Sequence, residues 1–547
     1  MPEPEPELEP EPAPPPSVTL PATQGTSTAE RFTHKEKLVS VTPTRDRTVN
    51  RKLRGIHLFG LYWRGGQILE LGGPLAVLLA FLIVGFLAWA VMQCITEMLC
   101  IWPIPGSFSV YVSEFVDPEL GIAVGVAYWY TYSISYAALI TTTSAYLHFW
   151  VAGEGQNGFY GGVVYFLIPV SMIAMNAVGV QPTASNIEKD MSLHIAAFAY
   201  TGVEIVAASA LEVKWPHKDK KDDRVATDFS QRSEQSLLVG KTVKFSSVYI
   251  SFLATIAYTV AGTLASSNMH RSDCSLPRLS WLTSSECPEH LRESKGFTKS
   301  VFVAIAKESG IPHLANAFNV FLIFTAITCA CTNLFVSSRS LFGVTTRLDG
   351  GPGQPGLLRL LAFFGRTNRN KVPLRAMIFS AAAFWWVPFL ELKGGNGVGM
   401  FIEILTTMGS VSIIIVWGSQ CWAFIRYYRC IYRHREALDM EQVAQVRRWN
   451  QDANDDYPYR SHGQPFLAFV ALIGCLLIIL VSTGASLWNG FHFKPFLSGY
   501  LVIFTFLGSW VILKIVRGAK WSLVDLDNAE KVINKIRNLH DIRVGAT

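Results

Sequence analysis

The chain has 547 residues, of which 50% are hydrophobic and 16% are charged, and its formal net charge is +6. A soluble protein normally carries about a quarter charged residues, so this composition argues against a soluble globular protein. The positive charges are spread through the segments between apolar blocks. This distribution indicates membrane orientation and not nucleic-acid binding.

Ten apolar blocks are long enough, or nearly long enough, to cross a bilayer as helices. They are Pro74–Thr96, Gly121–Trp150, Tyr160–Val180, His194–Leu211, Phe245–Ser267, Pro312–Ser338, Ala376–Leu390, Ile404–Ile425, Phe466–Trp488 and Phe496–Leu513. Ala376–Leu390 is the weakest because it is short and contains Pro388. The sequence therefore predicts an all-α, polytopic membrane protein with about ten recognisable spans.

The segments that flank the apolar blocks divide the chain into three parts. Residues 1–50 open with a proline- and glutamate-rich tract that buries too little apolar area to fold, so we expect a disordered cytosolic tail. The acidic start of the chain does not resemble a secretory signal peptide. We expect residues 51–517 to form the transmembrane domain and residues 518–547 to form a cytosolic C-terminal tail.

The stretch His194–Val213 combines an apolar run of spanning length with Gly202 and a single mid-membrane carboxylate, Glu204. A charge at that depth costs roughly 2.5 to 3.5 kcal/mol on insertion scales, and irregular backbone is tolerated there only beside protein or a water-filled cavity. The pattern favours a broken helix that lines a transport site. The alternative is a packing glycine next to a glutamate that a neighbouring helix satisfies.

Four motifs follow one another along the chain. They are GGPLAVLLAFLIVG, PIPGSFSVY with DPELGIAVGVAYWY, AFAYTGVEIVAASALE, and TNLFVSSRSLFGVT. In this order they resemble the second and third, sixth and eighth helices of fungal amino-acid permeases in the amino acid–polyamine–organocation (APC) superfamily. The resemblance implies twelve helices, arranged as two inverted five-helix repeats plus two further helices. Most of the family's first helix, with its glycine-rich motif, and its fifth helix are missing from the pattern.

The resemblance also implies where a substrate binds. In such folds the broken first and sixth helices hold an amino acid, because a half-helix N-terminus favours a carboxylate and freed carbonyls favour an ammonium. The backbone around Tyr200, Thr201 and Gly202 then binds the substrate, Phe198 and Tyr200 close over it, and Glu204 stabilises the bend or takes part in proton coupling.

Three further polar residues are candidates for lining the transport path. Tyr132 and Ser135 lie on the third-helix motif, where Leu139 occupies the position at which many relatives carry a glutamate, and Asn333 lies on the eighth. For all three, hydrogen bonding between helices is the alternative to substrate or ion contact.

The loops bear on orientation. Segments 213–244, 345–372 and 426–462 are rich in Lys and Arg and are predicted to be cytosolic. Charge does not orient the block 74–180: either it is inverted relative to the family, or segments 55–73 and 181–193 re-enter the membrane. The loop 268–311, predicted to lie outside, contains Cys274 and Cys287, which form a disulfide or remain two free thiols.

Together these features predict an amino-acid transporter that imports its substrate with protons across the plasma membrane and has both termini in the cytosol. The expected partners are an amino acid, a proton and the lipid bilayer, with no nucleic acid, cofactor or metal. The alternative is a non-transporting protein on the same scaffold, either a truncated isoform or a nutrient sensor. An enzyme is the weakest class, because the sequence contains no metalloprotease, serine-hydrolase or metal-ligand motif.

Overall fold

The computed structural model describes residues 64–147, 149–150, 162–178, 249–270, 300–348, 351, 356–368, 372–391, 396–443, 445–450, 457–488 and 493–545. These residues form helices and connecting turns and contain no strand. The helices are α1 Arg64–Ile101, α2 Ser107–Phe115, α3 Pro118–Leu147, α4 Ile168–Val178 preceded by a π-helical turn at Val163–Leu167, α5 Ile250–Asn268, α6 Val301–Glu308, α7 Leu314–Thr345, α8 Gly356–Phe364, α9 Leu374–Ala383, α10 Trp386–Glu391, α11 Asn396–Arg433, α12 Arg435–Met440, α13 Phe466–Trp488, α14 Phe493–Arg517 and α15 Ala529–Gly545.

The predicted spans agree closely with these helices. Nine of the ten overlap a described helix, whereas His194–Leu211, the N-terminal tail 1–50, Cys274 and Cys287 lie outside the described residues. Within the described part of the chain, four helical stretches are long and apolar enough to cross a membrane, namely Val77–Ile101, Leu314–Thr345, Thr407–Arg433 and Gly499–Arg517. The chain is thus an all-α, polytopic membrane protein.

Several predicted boundaries differ from the structure, and two of the differences involve proline-containing segments. Helix α1 begins at Arg64, ten residues before the predicted span, and contains Pro74 within its length. An interior Pro removes one backbone hydrogen bond and crowds the preceding turn, but membrane helices tolerate it where neighbouring groups satisfy the freed carbonyl. The weakest span divides into α9 and α10 at Phe384 and Trp385, upstream of Pro388.

Helix α3 is the central element and packs between α7 and α11. It runs antiparallel to α7, since Ser340 Oγ donates to the Gly125 carbonyl at 3.3 Å and Asn319 Nδ2 donates to the Tyr146 carbonyl at 2.8 Å. On another side, Thr131 Oγ1 donates to the Gly409 carbonyl at 3.2 Å. Short polar and glycine residues therefore bring these backbones close together, which is how membrane helices associate.

One end of the bundle gathers the ionic contacts, and we call it the basic end. Helices α1, α7, α11 and α14 finish there and α3 begins there, as shown by the pairs Glu97–Arg448, Glu114–Arg347 and Asp117–Lys514. The C-terminal end of α1 thus lies beside the loop 426–462. Of the two orientations that the sequence left open for the block 74–180, the structure shows the one in which it is not inverted relative to the basic loops.

The segment that follows α14 packs across the basic end. In α15 the side chains of Val532, Ile536 and Leu539 are buried in the main hydrophobic core. Upstream of α15, the Val524 amide donates to the Val116 carbonyl at 2.9 Å. The end of the chain is therefore held against the α2–α3 connection by both apolar and polar contacts.

Candidate functional site

The five residues predicted to bind substrate lie outside the described residues. They are Phe198, Tyr200, Thr201, Gly202 and Glu204, so their roles remain predictions. The described part of the candidate site is the middle of α3 and the facing part of α7.

A narrow stripe is accessible in the middle of α3, which is otherwise buried. From Thr131 to Ser144 every residue is buried except Ser135 and Leu139, which are half-buried. These two positions are four residues apart and so lie one above the other on one face of the helix. A partly accessible stripe inside a packed bundle is where a transport path can meet α3.

The three predicted lining residues lie near this stripe. Tyr132 is 1% exposed, and its ring packs against Tyr128 with the centroids 4.9 Å apart. Asn333 on α7 is buried, and the two α3–α7 hydrogen bonds described above place it level with Tyr132. The structure therefore brings Tyr132, Ser135 and Asn333 to about one depth of the bundle, and their role in lining a transport path stays a prediction.

Two buried hydroxyls in the same stretch of α3 have no hydrogen-bond partner among the described residues. They are Ser133 Oγ and Tyr136 Oη, on side chains that are 0% and 1% exposed. By contrast, Thr141, Thr142 and Thr143 on the same helix each donate to the carbonyl four residues earlier. Unsatisfied hydroxyls in an apolar interior are costly, so they mark places that a ligand, water or ion can satisfy. Sequence reasoning did not single out Ser133 or Tyr136.

At the basic end, Glu97 forms a fully buried ionic cluster. Its carboxylate accepts from Arg448 Nε at 2.6 Å, Tyr457 Oη at 2.7 Å, and the backbone amide and hydroxyl of Ser461 at 3.0 and 2.5 Å. Burial lowers the pKa of Arg448, but the Glu97 charge outweighs that effect and the net shift is upward. This carboxylate fastens the connection between α11 and α13 onto α1.

A second buried cluster joins the start of α3 to the end of α14. Lys514 Nζ pairs with Asp117 and lies 3.1 Å from Glu119, whose other oxygen lies 3.2 Å from Arg517. Asp117 also accepts from the Leu120 amide at 2.9 Å and so caps α3. Two cations and two carboxylates thus balance one another where the helices meet.

A third cluster ties the C-terminal helix to the bundle through Glu114 on α2. Its two oxygens lie 3.2 Å from Arg347, just after the end of α7, and 2.8 Å from Lys535 on α15. Burial raises the pKa of Glu114, but the charges of Lys535 and Arg347 outweigh it and hold the pKa below its ordinary value. One carboxylate therefore couples α2, α7 and α15.

This fold and site define a polytopic helical membrane protein with a partly accessible stripe on its central helix. The Amino acid permease family model matches residues 53–186 and 239–522. The chain belongs to this family, whose fold is the APC inverted-repeat arrangement. The interval between the matched stretches contains the five predicted substrate-binding residues.

The curated relatives are similar along most of their length. The dicarboxylic amino acid permease of Saccharomyces cerevisiae is 24% identical over 84% of this chain and 74% of its own. The basic amino-acid permease of the same yeast is 22% identical, covering 89% and 84%. The yeast SPS-sensor component SSY1 is 21% identical, covering 88% of this chain and 64% of its own.

Proposed function

We propose that the protein imports an amino acid together with a proton across the plasma membrane. The observation that carries the proposal is the family match over residues 53–186 and 239–522. The accessible stripe at Ser135 and Leu139 supports it, since a path for substrate needs such a surface inside the bundle. The relatives are named for acidic and for basic amino acids, so the proposal covers amino acids as a class.

The basic end is the cytosolic side in this proposal. Arg347, Arg433, Arg448, Lys514 and Arg517 all lie there, and short cytosolic loops carry an excess of Lys and Arg. Because α15 packs on this end, the C-terminus is cytosolic. Helix α1 runs toward the same end, so a cytosolic N-terminus requires a membrane crossing before Arg64.

The directions of α4 and α5 constrain the segment between them. Tyr165 Oη lies 2.8 Å from Ser144 Oγ, far from the basic end, and Asn176 bonds the Cys331 carbonyl nearer to it, so α4 runs toward the basic end. Helix α5 runs away from it, antiparallel to α1, with Tyr258 stacked on Phe81. The end of α4 and the start of α5 therefore both lie at the basic end. A segment whose two ends lie on the same side of a membrane crosses that membrane an even number of times. The single crossing predicted at His194–Leu211 lies outside the described residues and stays a prediction.

Proton coupling is part of the proposal because a proton that enters the cell can drive accumulation of a substrate. One proton that moves inward gains about 2.3 kcal/mol per 100 mV of membrane potential, which corresponds to roughly fiftyfold accumulation. Glu204 is the proposed proton carrier or bend-stabilising group. Among the described residues near the stripe, Ser133 and Tyr136 offer hydroxyls for a substrate or for water.

A nutrient sensor is the second candidate function. The likeness to the SPS-sensor component SSY1 favours it, because that match extends over 88% of this chain. A sensor on this scaffold binds an amino acid without completing a transport cycle, so the two functions differ in net uptake and not in binding.

Uptake in cells that lack their own amino-acid permeases tests transport directly. We expect accumulation of at least one radiolabelled amino acid, its loss on addition of a protonophore, and its loss in Ser135→Phe, which fills the stripe. Val126→Phe is the matched control, since Val126 is 45% exposed and lies nine residues earlier on the opposite side of α3. Glu204→Gln is expected to abolish proton dependence.

Three results separate the alternatives. A correctly localised protein that takes up no amino acid, yet whose thermal stability rises with one, favours the sensor. Equal uptake by Ser135→Phe and the wild type contradicts a path along α3. An epitope inserted after Gly155 is expected to be labelled from outside intact cells and a C-terminal epitope is not; the reverse pattern contradicts the proposed orientation.

A further inference from the structure

Helix α8 lies at the basic end with one apolar face uncovered. Its Ala362 is 4% exposed, and Phe364 packs against Phe379 of α9 with ring centroids 4.6 Å apart. On its other side, Leu360 is 56% exposed and Phe363 is 46% exposed. The helix is therefore anchored to the bundle by one side and presents large apolar side chains on the other.

The uncovered face continues onto a membrane-facing surface. On α9 the neighbouring side chains Ile378 and Phe379 are 49% and 40% exposed. Within the transmembrane part of such a protein, exposed apolar side chains face lipid. Leu360 and Phe363 thus extend the lipid-facing surface to the cytosolic boundary of the bilayer.

This boundary is strongly positive. Residues 350–390 contain Arg359, Arg366, Arg369, Lys371 and Arg375 and no Asp or Glu. Among the described residues of this segment, Arg359, Arg366 and Arg375 are exposed. Arg375 Cζ lies 4.1 Å from the centre of the Phe363 ring, so a cation lies directly against the apolar face.

We propose that α8 and the start of α9 form a binding site for anionic phospholipid of the cytosolic leaflet. Leu360 and Phe363 enter the acyl boundary while Arg359, Arg366 and Arg375 contact the headgroup phosphate and carboxylate. The apolar face matches the acyl chains of a lipid, and the cations match its anionic headgroup. A free anion has no part that would bind the apolar face. Basic residues beside a transmembrane helix attract anionic lipid in this way.

The strength of the site is set by its cations. Each Lys or Arg near an anionic surface contributes a factor of about five to lipid affinity. Removing Arg359 and Arg366 together is therefore expected to weaken phosphatidylserine binding about 25-fold. Binding is also expected to fall as salt rises, since exposed charges are screened.

Native mass spectrometry of the purified full-length protein, titrated with short-chain phosphatidylserine or phosphatidylcholine, measures this affinity. We expect the wild type to prefer phosphatidylserine and Arg359→Gln/Arg366→Gln to lose most of that preference, with Arg366→Gln alone weakened about fivefold. Arg359→Lys/Arg366→Lys keeps the charges and is expected to retain binding. Lys531→Gln is the matched control, because Lys531 is an exposed cation at the same end, on α15.

Two further arms make the outcome decisive. In phosphatidylcholine nanodiscs the glutamine variants are expected to unfold at the wild-type temperature, and only the wild type and the lysine variant gain stability when phosphatidylserine is added. Glycerophosphoserine, the same headgroup without acyl chains, is expected to give no gain. Equal binding of the two lipids by the wild type, unchanged affinity in the double glutamine variant, or an equal effect of glycerophosphoserine would overturn the proposal.

Discussion

Replacing Glu97 by Gln tests how the cytosolic end of the bundle is held together. The carboxylate is 0% exposed and pairs with Arg448, which is 11% exposed. Gln keeps the shape but removes the charge, so Arg448 loses its counter-ion while it keeps its hydrogen bond to the Ser461 carbonyl at 2.9 Å. Breaking a buried ion pair on one side typically costs about 3 to 5 kcal/mol.

The segment at Ser461 reports this loss directly. Its amide donates to Glu97 Oε2 at 3.0 Å, so its hydrogen exchange measures how often the segment detaches from α1. A cost of about 3 kcal/mol corresponds to about a 150-fold loss of protection in the opening equilibrium. We expect such a loss in the peptide that covers residues 457–461, with little change in α3.

A double variant supplies the control. Glu97→Gln/Arg448→Met removes both charges, and replacing both members of a buried pair is often close to neutral. The double variant is therefore expected to recover much of the protection that the single variant loses. A loss of hydrogen-exchange protection of less than tenfold in Glu97→Gln would refute the role of this pair in holding the segment. A double variant whose loss of protection equals the combined losses of the two single variants would refute it as well.

Three other predictions concern the same end of the molecule. Lys514→Met leaves the two carboxylates at the start of α3 without their buried cation and is expected to destabilise the protein by about 3 to 5 kcal/mol, measured by chemical unfolding in detergent. Because the pKa of Glu114 is lowered in the folded protein, the ionised carboxylate stabilises the fold above its ordinary pKa, and this stabilisation is lost as pH falls through the lowered pKa. The difference in thermal stability between wild type and Glu114→Gln is therefore expected to be constant near neutral pH and to shrink only at strongly acidic pH. A difference that shrinks between pH 8 and 6 contradicts the pairing. In Gly343→Ala the new Cβ lies 2.4 Å from Gly106 Cα, so we expect the free energy of unfolding to fall by about 1 to 3 kcal/mol, measured by thermal unfolding. Gly508→Ala is the control, because its new Cβ meets nothing within 4 Å, and it is expected to be neutral or slightly stabilising.

Much of the fold was predictable from the sequence. The apolar block Phe466–Trp488 coincides with α13 because block length and hydropathy are local properties of the chain. The boundary of α1 was less predictable, since Pro74 and the charge at Glu70 read as interruptions although the helix continues through them. Helix ends depend on what packs around them, which the local pattern does not contain.

The candidate site was predictable in its residue types but not in their surroundings. Tyr132, Ser135 and Asn333 were recognisable as polar residues in apolar helices. Ser133 and Tyr136 were not distinguished from them, because whether a hydroxyl is satisfied depends on the neighbouring helix. The three threonines at 141–143 show the contrast, since each uses its own helix as acceptor.

By itself, the sequence determined the class of protein, the family and the positions of most membrane helices, because these follow from local apolar length and from motif order. Only the tertiary structure decided the direction of the block 74–180. Glu97 and Arg448 are 351 positions apart in sequence, and no local pattern pairs them. Their contact fixes which end of α1 meets the basic loops, because two buried charges must lie within hydrogen-bond distance to offset their loss of hydration.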